Sequence, residues 1–391
     1  MAKEKKEKRS NLEELIKKHS ALDGSQYEEF EASLPVLATG NIKVDMATGQ
    51  IDPEHGNGGL RARDSMEICG EPGNAKNVLL HSMIRTTQER WPGRNIITVF
   101  TEKPDIRRMI REGVNVDNLI ILGCYHKDLD AKKTEACYIL EALLDFCEDP
   151  TVKLITMDSL AMLTTDAMDE KDIEDAQPVA ALAKKFNVFI GRYTAKTAFA
   201  PLVYTNHYRE PINTGFSFTP PNQLVVQTTG GRTKEFLAMI RMRALAYPFW
   251  REASGQKVLH SETGKKIQDG LKTTYNIFRN RYSNRDNYRV CSLDYNFETC
   301  RFNNEEAVIG MADHFTVTGE SGEVVSTLSP GVIQKGARYM IGGENLHGMA
   351  NAVQYLKDNP EIYKALELQL IARSAEFYSD EEVLLNLDAP A

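Results

Sequence analysis

No apolar run in the chain approaches the roughly 18 residues that a membrane span requires, so no membrane-embedded class is expected. The six cysteines (Cys69, Cys124, Cys137, Cys147, Cys291, Cys300) include no C-x-x-C pair, which argues against zinc and a disulfide framework and for a reducing compartment. Glycine and proline are sparse, 26 and 15 in 391 residues, and 42% of residues are hydrophobic, which excludes collagen-like and disordered chains. Positive charge is in deficit: 47 Lys and Arg against 55 Asp and Glu leave a net charge of -8. A globally basic nucleic-acid binder is thereby excluded, but a local basic groove is not. The start, MAKEKKEKRSN, has no apolar stretch behind its charges, unlike a secretory leader, and a cytoplasmic location is expected. The length suits two or three domains at about 150 residues each.

Hydrophobic spacing organises what is there. Residues 3–18 carry Leu12, Leu15 and Ile16 at helical intervals, the pattern of a short amphipathic helix. Gly56, Gly58 and Gly59 mark a loop. From Ser65 onward strands are expected over 65–69, 95–101, 118–124, 152–158, 201–208 and 236–245. Helices are expected after Asn77, over 104–113 and over 136–148. Pro104 suits a first helical position, where its missing N–H costs nothing. Nearly all-apolar strands alternating with helices predict an α/β chain whose mostly parallel central sheet is covered on both faces. Residues 273–300 read as paired strands rich in Tyr, Arg and Asn. The expected divisions are an N-terminal helical, oligomerisation segment (1–33), a core (34–305), a small α-rich domain (306–373) and an acidic tail (374–391).

The turn after the first strand, Gly70-Glu71-Pro72-Gly73-Asn74-Ala75-Lys76-Asn77, is close to the phosphate-binding pattern G-x-x-x-x-G-K-S/T. In that pattern backbone N–H groups wrap the phosphates, the lysine reaches the terminal ones and the hydroxyl holds Mg2+. Gly70 and Lys76 are in register, but Ala75 replaces the second glycine and Asn77 the hydroxyl residue. Alone, the segment also reads as a Gly-Pro turn with a surface lysine. Leu154-Ile155-Thr156-Met157-Asp158 is an apolar strand ending in a carboxylate, the form of an aspartate that supports Mg2+. Glu102 follows another strand; a carboxylate there orients an attacking water or simply sits near a helix N-terminus. All three signals fall at the C-terminal ends of strands, where open α/β sheets bind ligands.

Further runs follow in a fixed order. They are Val36–Gly49 (VLATGNIKVDMATG), Gly58-Gly59-Leu60, Met66-Glu67-Ile68, Thr101-Glu102-Lys103 and Gly113-Val114-Asn115-Val116-Asp117-Asn118-Leu119. After them come Asp158-Ser159-Leu160-Ala161-Met162-Leu163, Thr205-Asn206-His207-Tyr208-Arg209, Thr228-Thr229-Gly230-Gly231 with Phe236, and Lys357-Asp358-Asn359-Pro360-Glu361. In this order and spacing, from about Leu34 to Arg373, the chain resembles the RecA recombinase family, including its phage UvsX-type and archaeal RadA-type members.

The resemblance implies a RecA-like core with an N-terminal helix and a small C-terminal domain. It implies ATP and Mg2+ as cofactors, bound by Gly70, Gly73, Asn74, Ala75, Lys76, Asn77 and Asp158, with Asn77 and Asp158 at the metal positions. Glu102 would be the general base. His207 stands where the family has a glutamine that senses the γ-phosphate, a role Asn206 would share; the plainer reading of His207 is a satisfied strand-end histidine. A methyl group at Ala75, where the backbone is expected at positive φ, and the lost hydroxyl at Asn77 both point to weak hydrolysis. Arg279 and Arg281 lie where two family lysines reach into the neighbouring subunit's nucleotide; they read otherwise as a basic strand face.

Two DNA loops are implied. The first, about Thr164 to Gln177, is acidic here and reads as a solvated loop. The second, Glu210 to Thr229, carries Phe216 and Phe218, placed to stack on bases or else to pack in a core. Arg209, Gly230, Gly231 and Arg232 border it as further DNA-binding residues, and Arg192, Lys196, Arg209, Arg232 and Lys234 are expected to supply local positive charge. The function implied is a recombinase that forms helical filaments with itself on single-stranded DNA for homologous pairing and strand exchange, in the cytoplasm or a phage-infected host. The alternatives are a filament or adaptor of the same fold with little hydrolysis, and a ring ATPase or helicase.

Overall fold

The computed structural model describes residues 24–123, 136–165, 181–195, 199–209, 227–253, 256–257, 259, 263, 265–282, 289–318 and 324–379. The chain enters through α1 (Gly24–Ser33), which buries none of its side chains. Next come β1 (Val36–Leu37), α2 (Ile42–Thr48) and β2 (Leu60–Arg61), with β1 and β2 paired antiparallel. Asn41 caps α2, its side chain accepting the Lys43 and Val44 N–H groups, and Gly49 ends it at φ +72°.

The alternating part runs β3 (Ser65–Gly70), α3 (Lys76–Arg90), β4 (Ile96–Phe100), α4 (Ile106–Arg111), β5 (Leu119–Gly123), α5 (Ala136–Cys147) and β6 (Leu154–Asp158). It continues with α6 (Ala181–Ala195), β7 (Leu202–Arg209), β8 (Gln227–Thr228), α7 (Thr233–Leu237) and β9 (Ile240–Trp250). The short pair β10 (Glu252–Ala253) and β11 (Gln256–Lys257) precedes β12 (Gln268–Asn280), β13 (Arg289–Asn296) and β14 (Arg301–Phe302). The main sheet has the order β14-β13-β12-β9-β3-β7-β6-β4-β5, with β8 paired to β7. From β9 to β5 neighbouring strands are parallel, and β12, β13 and β14 extend the sheet antiparallel. The expected mostly parallel α/β sheet is therefore present.

Two apolar clusters flank it. On one face α3 packs Val78, Leu79, Leu80, Met83 and Ile84 against Met66, Ile68 and Val203. On the other, α5 and α6 place Leu140, Leu143, Phe186 and Ile190 against Ile97, Val99, Ile155 and Tyr204. All six residues of β3 and all five of β4 are buried, the polar Ser65, Glu67 and Thr98 among them, as strands of a sheet covered on both faces are.

The last strand of the parallel set departs from expectation. Residues 233–237 form the helical turn α7, and β9 begins only at Ile240, where pairing to β3 starts. The C-terminal part also differs. Beyond α8 (Asn304–Ala312), β15 (Thr316–Thr318) and β16 (Val324–Ser326) form a hairpin. Strands β17 (Val332–Lys335), β18 (Arg338–Ile341) and β19 (Glu344–His347) make a three-stranded sheet before α9 (Met349–Asp358) and α10 (Pro360–Ser379). The α-rich expectation for 306–373 is thus corrected to a mixed unit. Its strands are three or four residues long, too short for a period-2 pattern to stand out. The apolar faces of α8 and α10 join the same cluster as α2 and α3, through Val308, Ile309, Leu366 and Leu370.

Candidate functional site

Strand β3 delivers the chain into the turn at Gly70, whose Cβ, if it had one, would lie 2.7 Å from the Ala244 carbonyl oxygen. Gly73 then takes φ +83°, and Ala75 takes φ +57°, ψ 21°. The left-handed backbone anticipated at Ala75 is what the loop adopts, despite the methyl group. The Tyr275 hydroxyl donates to the Ala75 carbonyl at 3.0 Å and holds the turn from beneath. Helix α3 starts at Lys76 with no side-chain cap from Ala75, so its first N–H groups and its dipole face the turn. Lys76 folds back, and its ammonium donates to the carbonyls of Gly70 at 2.9 Å and Glu71 at 2.8 Å. Burial lowers the Lys76 ammonium, with Asp158 and Glu102 opposing that effect.

Register brings the other groups here. Gly70 lies opposite His207 across β3 and β7, and Phe100 opposite Asp158 across β4 and β6. The Asp158–Ser159 peptide is cis. Thr101 stitches the two strand ends: its N–H donates to the Asp158 carbonyl at 2.9 Å, and its hydroxyl accepts the Ser159 N–H at 2.8 Å. The Asp158 carboxylate accepts from Asn77 Nδ2 at 2.7 Å and from the Thr205 hydroxyl at 2.6 Å. Glu102 stands exposed at the mouth, 3.9 Å from His207 Nε2. Gly73, Asn74, Ala75, Lys76, Asn77, Glu102, Asp158 and His207 all line one cleft of about 640 Å³.

The donor set for Mg2+ is thin. Among the described residues no three His, Cys, Asp or Glu side chains cluster to hold a metal. Asp158 is the carboxylate bonded to the first turn of α3. Asn77, which donates to it through nitrogen, keeps its own oxygen as a neutral ligand atom. Such a pair fits an ion whose remaining ligands are phosphate oxygens and water.

The far end of the cleft was not foreseen. It is walled by Leu271, Tyr295, Phe297 and Cys300, with Arg108, Arg111 and Glu112 on its side. Burial would raise the Glu112 carboxyl; hydrogen bonds and charge from His81 and Arg108 overcome it and hold the group below its usual range. Arg108 Nε donates to Glu112 at 2.8 Å, and His81 Nδ1 contacts the other oxygen. These residues form no motif. They come from α3, the end of α4, β12, β13 and the turn after β13, and only the sheet order brings them together. The one local trace is the four-residue spacing of Arg108 and Glu112.

Other expected site residues lie elsewhere. Asn206 is fully buried and donates to Glu67 at 2.8 Å and to the Thr229 carbonyl at 2.8 Å, so its side chain points away from the cleft. Lys234, expected as surface charge, is fully buried in an ion pair with Glu67 at 3.2 Å. A sequence pattern cannot separate it from exposed Arg232, two positions away. Gly230 packs so that a Cβ would meet Leu160 at 2.9 Å, and Gly231 so that one would meet Asn187 at 3.0 Å. Arg279 lies at the end of β12, and Arg281 just beyond it donates to the Phe236 carbonyl at 2.7 Å; neither lines the cleft. Arg209 ends β7. Phe216, Phe218, Lys196 and most of the acidic stretch 164–177 lie outside the described residues. Among the described residues no helix is long and apolar enough to cross a membrane. No protein-family model matches the chain.

Proposed function

We propose that the chain is a RecA-type protein that binds ATP weakly, assembles as a helical filament on single-stranded DNA and promotes homologous pairing. The observation that carries this reading is the gathering of a phosphate-type loop, Lys76, Asp158, Glu102 and His207 on one cleft at the C-terminal ends of parallel strands. The lining combines the Lys76 ammonium and the N–H groups of the turn with Arg108, Arg111, Tyr295 and Phe297, a cationic and aromatic set that suits an anionic chain joined to a flat base. ATP would lay its phosphates on the 70–77 turn. Mg2+, held by Asp158 and Asn77, would neutralise phosphate charge. Glu102 is solvent-accessible and free to orient a water, while the Lys76 ammonium fixes the phosphate end.

Slow turnover follows from the same residues. Ala75 keeps a methyl group where phosphate approaches, and Asn77 offers a neutral amide oxygen in place of a hydroxyl. The family resemblance then assigns DNA contact to the region between β7 and β8 and assigns Arg279 and Arg281 to the neighbouring subunit. Electron microscopy of the protein with single-stranded DNA, with and without ATP, tests the reading. DNA-dependent helical filaments are expected. Closed rings, or no assembly on DNA under either condition, would overturn it.

A further inference from the structure

A second cavity, of about 560 Å³, lies where α10 meets the core, and it shares no lining residue with the nucleotide cleft. Its walls come from residues 37–42, the C-terminal half of α3, Asn304 of α8 and one side of α10. That volume suits a small organic molecule. Arg85 lines it and is only 6% exposed. A buried guanidinium ordinarily makes short, paired hydrogen bonds. The contacts of Arg85 are all long. One terminal nitrogen is 3.4 Å from the Glu112 carbonyl, and the other is 3.3 Å from the Ser82 hydroxyl. Its Nε is 3.4 Å from the Glu89 carboxylate and makes no hydrogen bond among the described residues. Two glycines crowd the group. A Cβ on Gly40 would lie 3.4 Å from Arg85 Nη2, and one on Gly113 would lie 3.1 Å from Arg85 Cδ and 3.0 Å from Arg301 Nη2. Burial first, and the nearby Arg301 charge second, lower the Arg85 guanidinium. A poorly partnered cation therefore stands beside another cation, out of water.

The other charges of the lining do not cancel this one. Arg90 is occupied, donating to both Asp52 oxygens at 2.8 and 3.2 Å. Glu367 accepts from Lys364 at 2.5 Å and from the Tyr363 hydroxyl at 2.9 Å. Burial pushes the Asp45 carboxyl up to about 8, so near neutral pH it is mostly uncharged. Glu89 is exposed, and water screens its charge. What remains on the buried side is the Arg85 guanidinium, beside the apolar Leu37, Ile42 and Ile371. We propose that this cavity binds a small organic oxyanion. Its phosphate or carboxylate would meet Arg85, and its apolar part would lie against Leu37, Ile42 and Ile371. The guanidinium fork takes either group in the same way. Lys364, half-exposed in the same lining, adds attraction for an approaching anion. The site stands apart from the nucleotide cleft and does not depend on the reading of the chain as a recombinase.

Trp91 lines the cavity and serves as its reporter. The chain has 2 tryptophans, so Trp250→Phe leaves Trp91 as the single indole emitter. In that background the full chain is titrated with butyl phosphate and, separately, with butyrate, each against sodium chloride at matched ionic strength. A saturable change in Trp91 emission is expected with at least one of the two, and the tighter of them identifies the group that the site takes. Arg85→Met should weaken binding by at least about tenfold, the loss expected for a charge-assisted hydrogen bond. Lys76→Ala, which alters the nucleotide cleft, should leave the titration unchanged. If Arg85→Met does not fold, Lys364→Glu decides: reversing that half-exposed charge should weaken binding about threefold. A response no different from that of chloride would overturn the proposal. So would one that persists in Arg85→Met, one that Lys76→Ala abolishes, or, where Arg85→Met fails to fold, one that Lys364→Glu leaves unchanged.

Discussion

Ala75 holds a backbone conformation, φ +57°, that costs a residue with a Cβ roughly 1–2 kcal/mol. Glycine removes that strain but raises the entropy of the unfolded chain by about 0.4–1 kcal/mol, so Ala75→Gly alone changes stability little. Its effect belongs to the chemistry. With Asn77→Thr it reopens the approach to phosphate and adds a hydroxyl beside Asp158. A gain in ATP turnover of at least about tenfold is expected, equivalent to about 1.4 kcal/mol. A steady-state ATPase assay with single-stranded DNA checks it, and no gain would mean that Glu102 is not a working base. Lys76 is the other decisive side chain. Charge-assisted hydrogen bonds are worth about 1.5–3 kcal/mol, so Lys76→Ala should weaken ATP binding by at least tenfold in a fluorescent-nucleotide titration.

Between elements, α2 and α10 meet over a buried carboxylate. Burial pushes the Asp45 carboxyl up to about 8, against the Thr39 N–H that donates to it at 2.7 Å, and Glu367 on α10 pushes in the same direction as burial. Because the folded value lies above the unfolded one, the folded state binds the extra proton. Its contribution is complete below about pH 4 and is lost as pH rises towards 8. Asp45→Asn keeps an oxygen to accept the Thr39 N–H and cannot titrate. Melting temperatures recorded between about pH 6 and 8.5 should therefore fall less in this variant than in the unaltered chain. Parallel curves would show that Asp45 does not titrate there. A second prediction concerns β12. Burial, Arg281 and Arg241, in that order of weight, lower the Arg279 guanidinium. Among the described residues neither Arg279 nor Arg281 has a carboxylate within ion-pair distance, so this strand end favours an incoming anion. Arg279→Ala with Arg281→Ala should shorten ATP-grown filaments in electron micrographs while leaving the circular dichroism of the fold unchanged.

At the scale of the whole molecule, the C-terminal unit shares its apolar cluster with the sheet. Leu366 and Leu370 of α10 are fully buried in the same cluster as Ile42, Val44 and Val308. Leu366→Ala should therefore cost about 2–5 kcal/mol and move a single unfolding transition. Two separated transitions in calorimetry, with only the smaller one shifted, would show that residues beyond α8 unfold alone. The boundary expected at 305/306 falls inside α8 (Asn304–Ala312), whose Val308 and Ile309 belong to the shared cluster, which is the physical ground for one transition.

What the sequence determined by itself was local or periodic. Nearly all-apolar runs such as Ile96–Phe100 have one economical fate, a strand buried on both faces. The Gly70–Asn77 turn, Asp158 and Glu102 were legible because strand ends and a glycine turn are written in consecutive residues. The tertiary structure decided the rest. Asn206 and His207 are adjacent in sequence, yet the alternation of a strand sends one to Glu67 and the other to the cleft. Lys234 and Arg232 look alike in the sequence, and only the packing of α7 on Glu67 buries one and exposes the other. The Arg108, Glu112, Tyr295 and Phe297 wall exists because α4 and the end of β13 meet at the cleft from opposite parts of the sheet. No spacing in one dimension carries that proximity, because it is fixed by strand order, and strand order is set by burying both faces of the sheet at once.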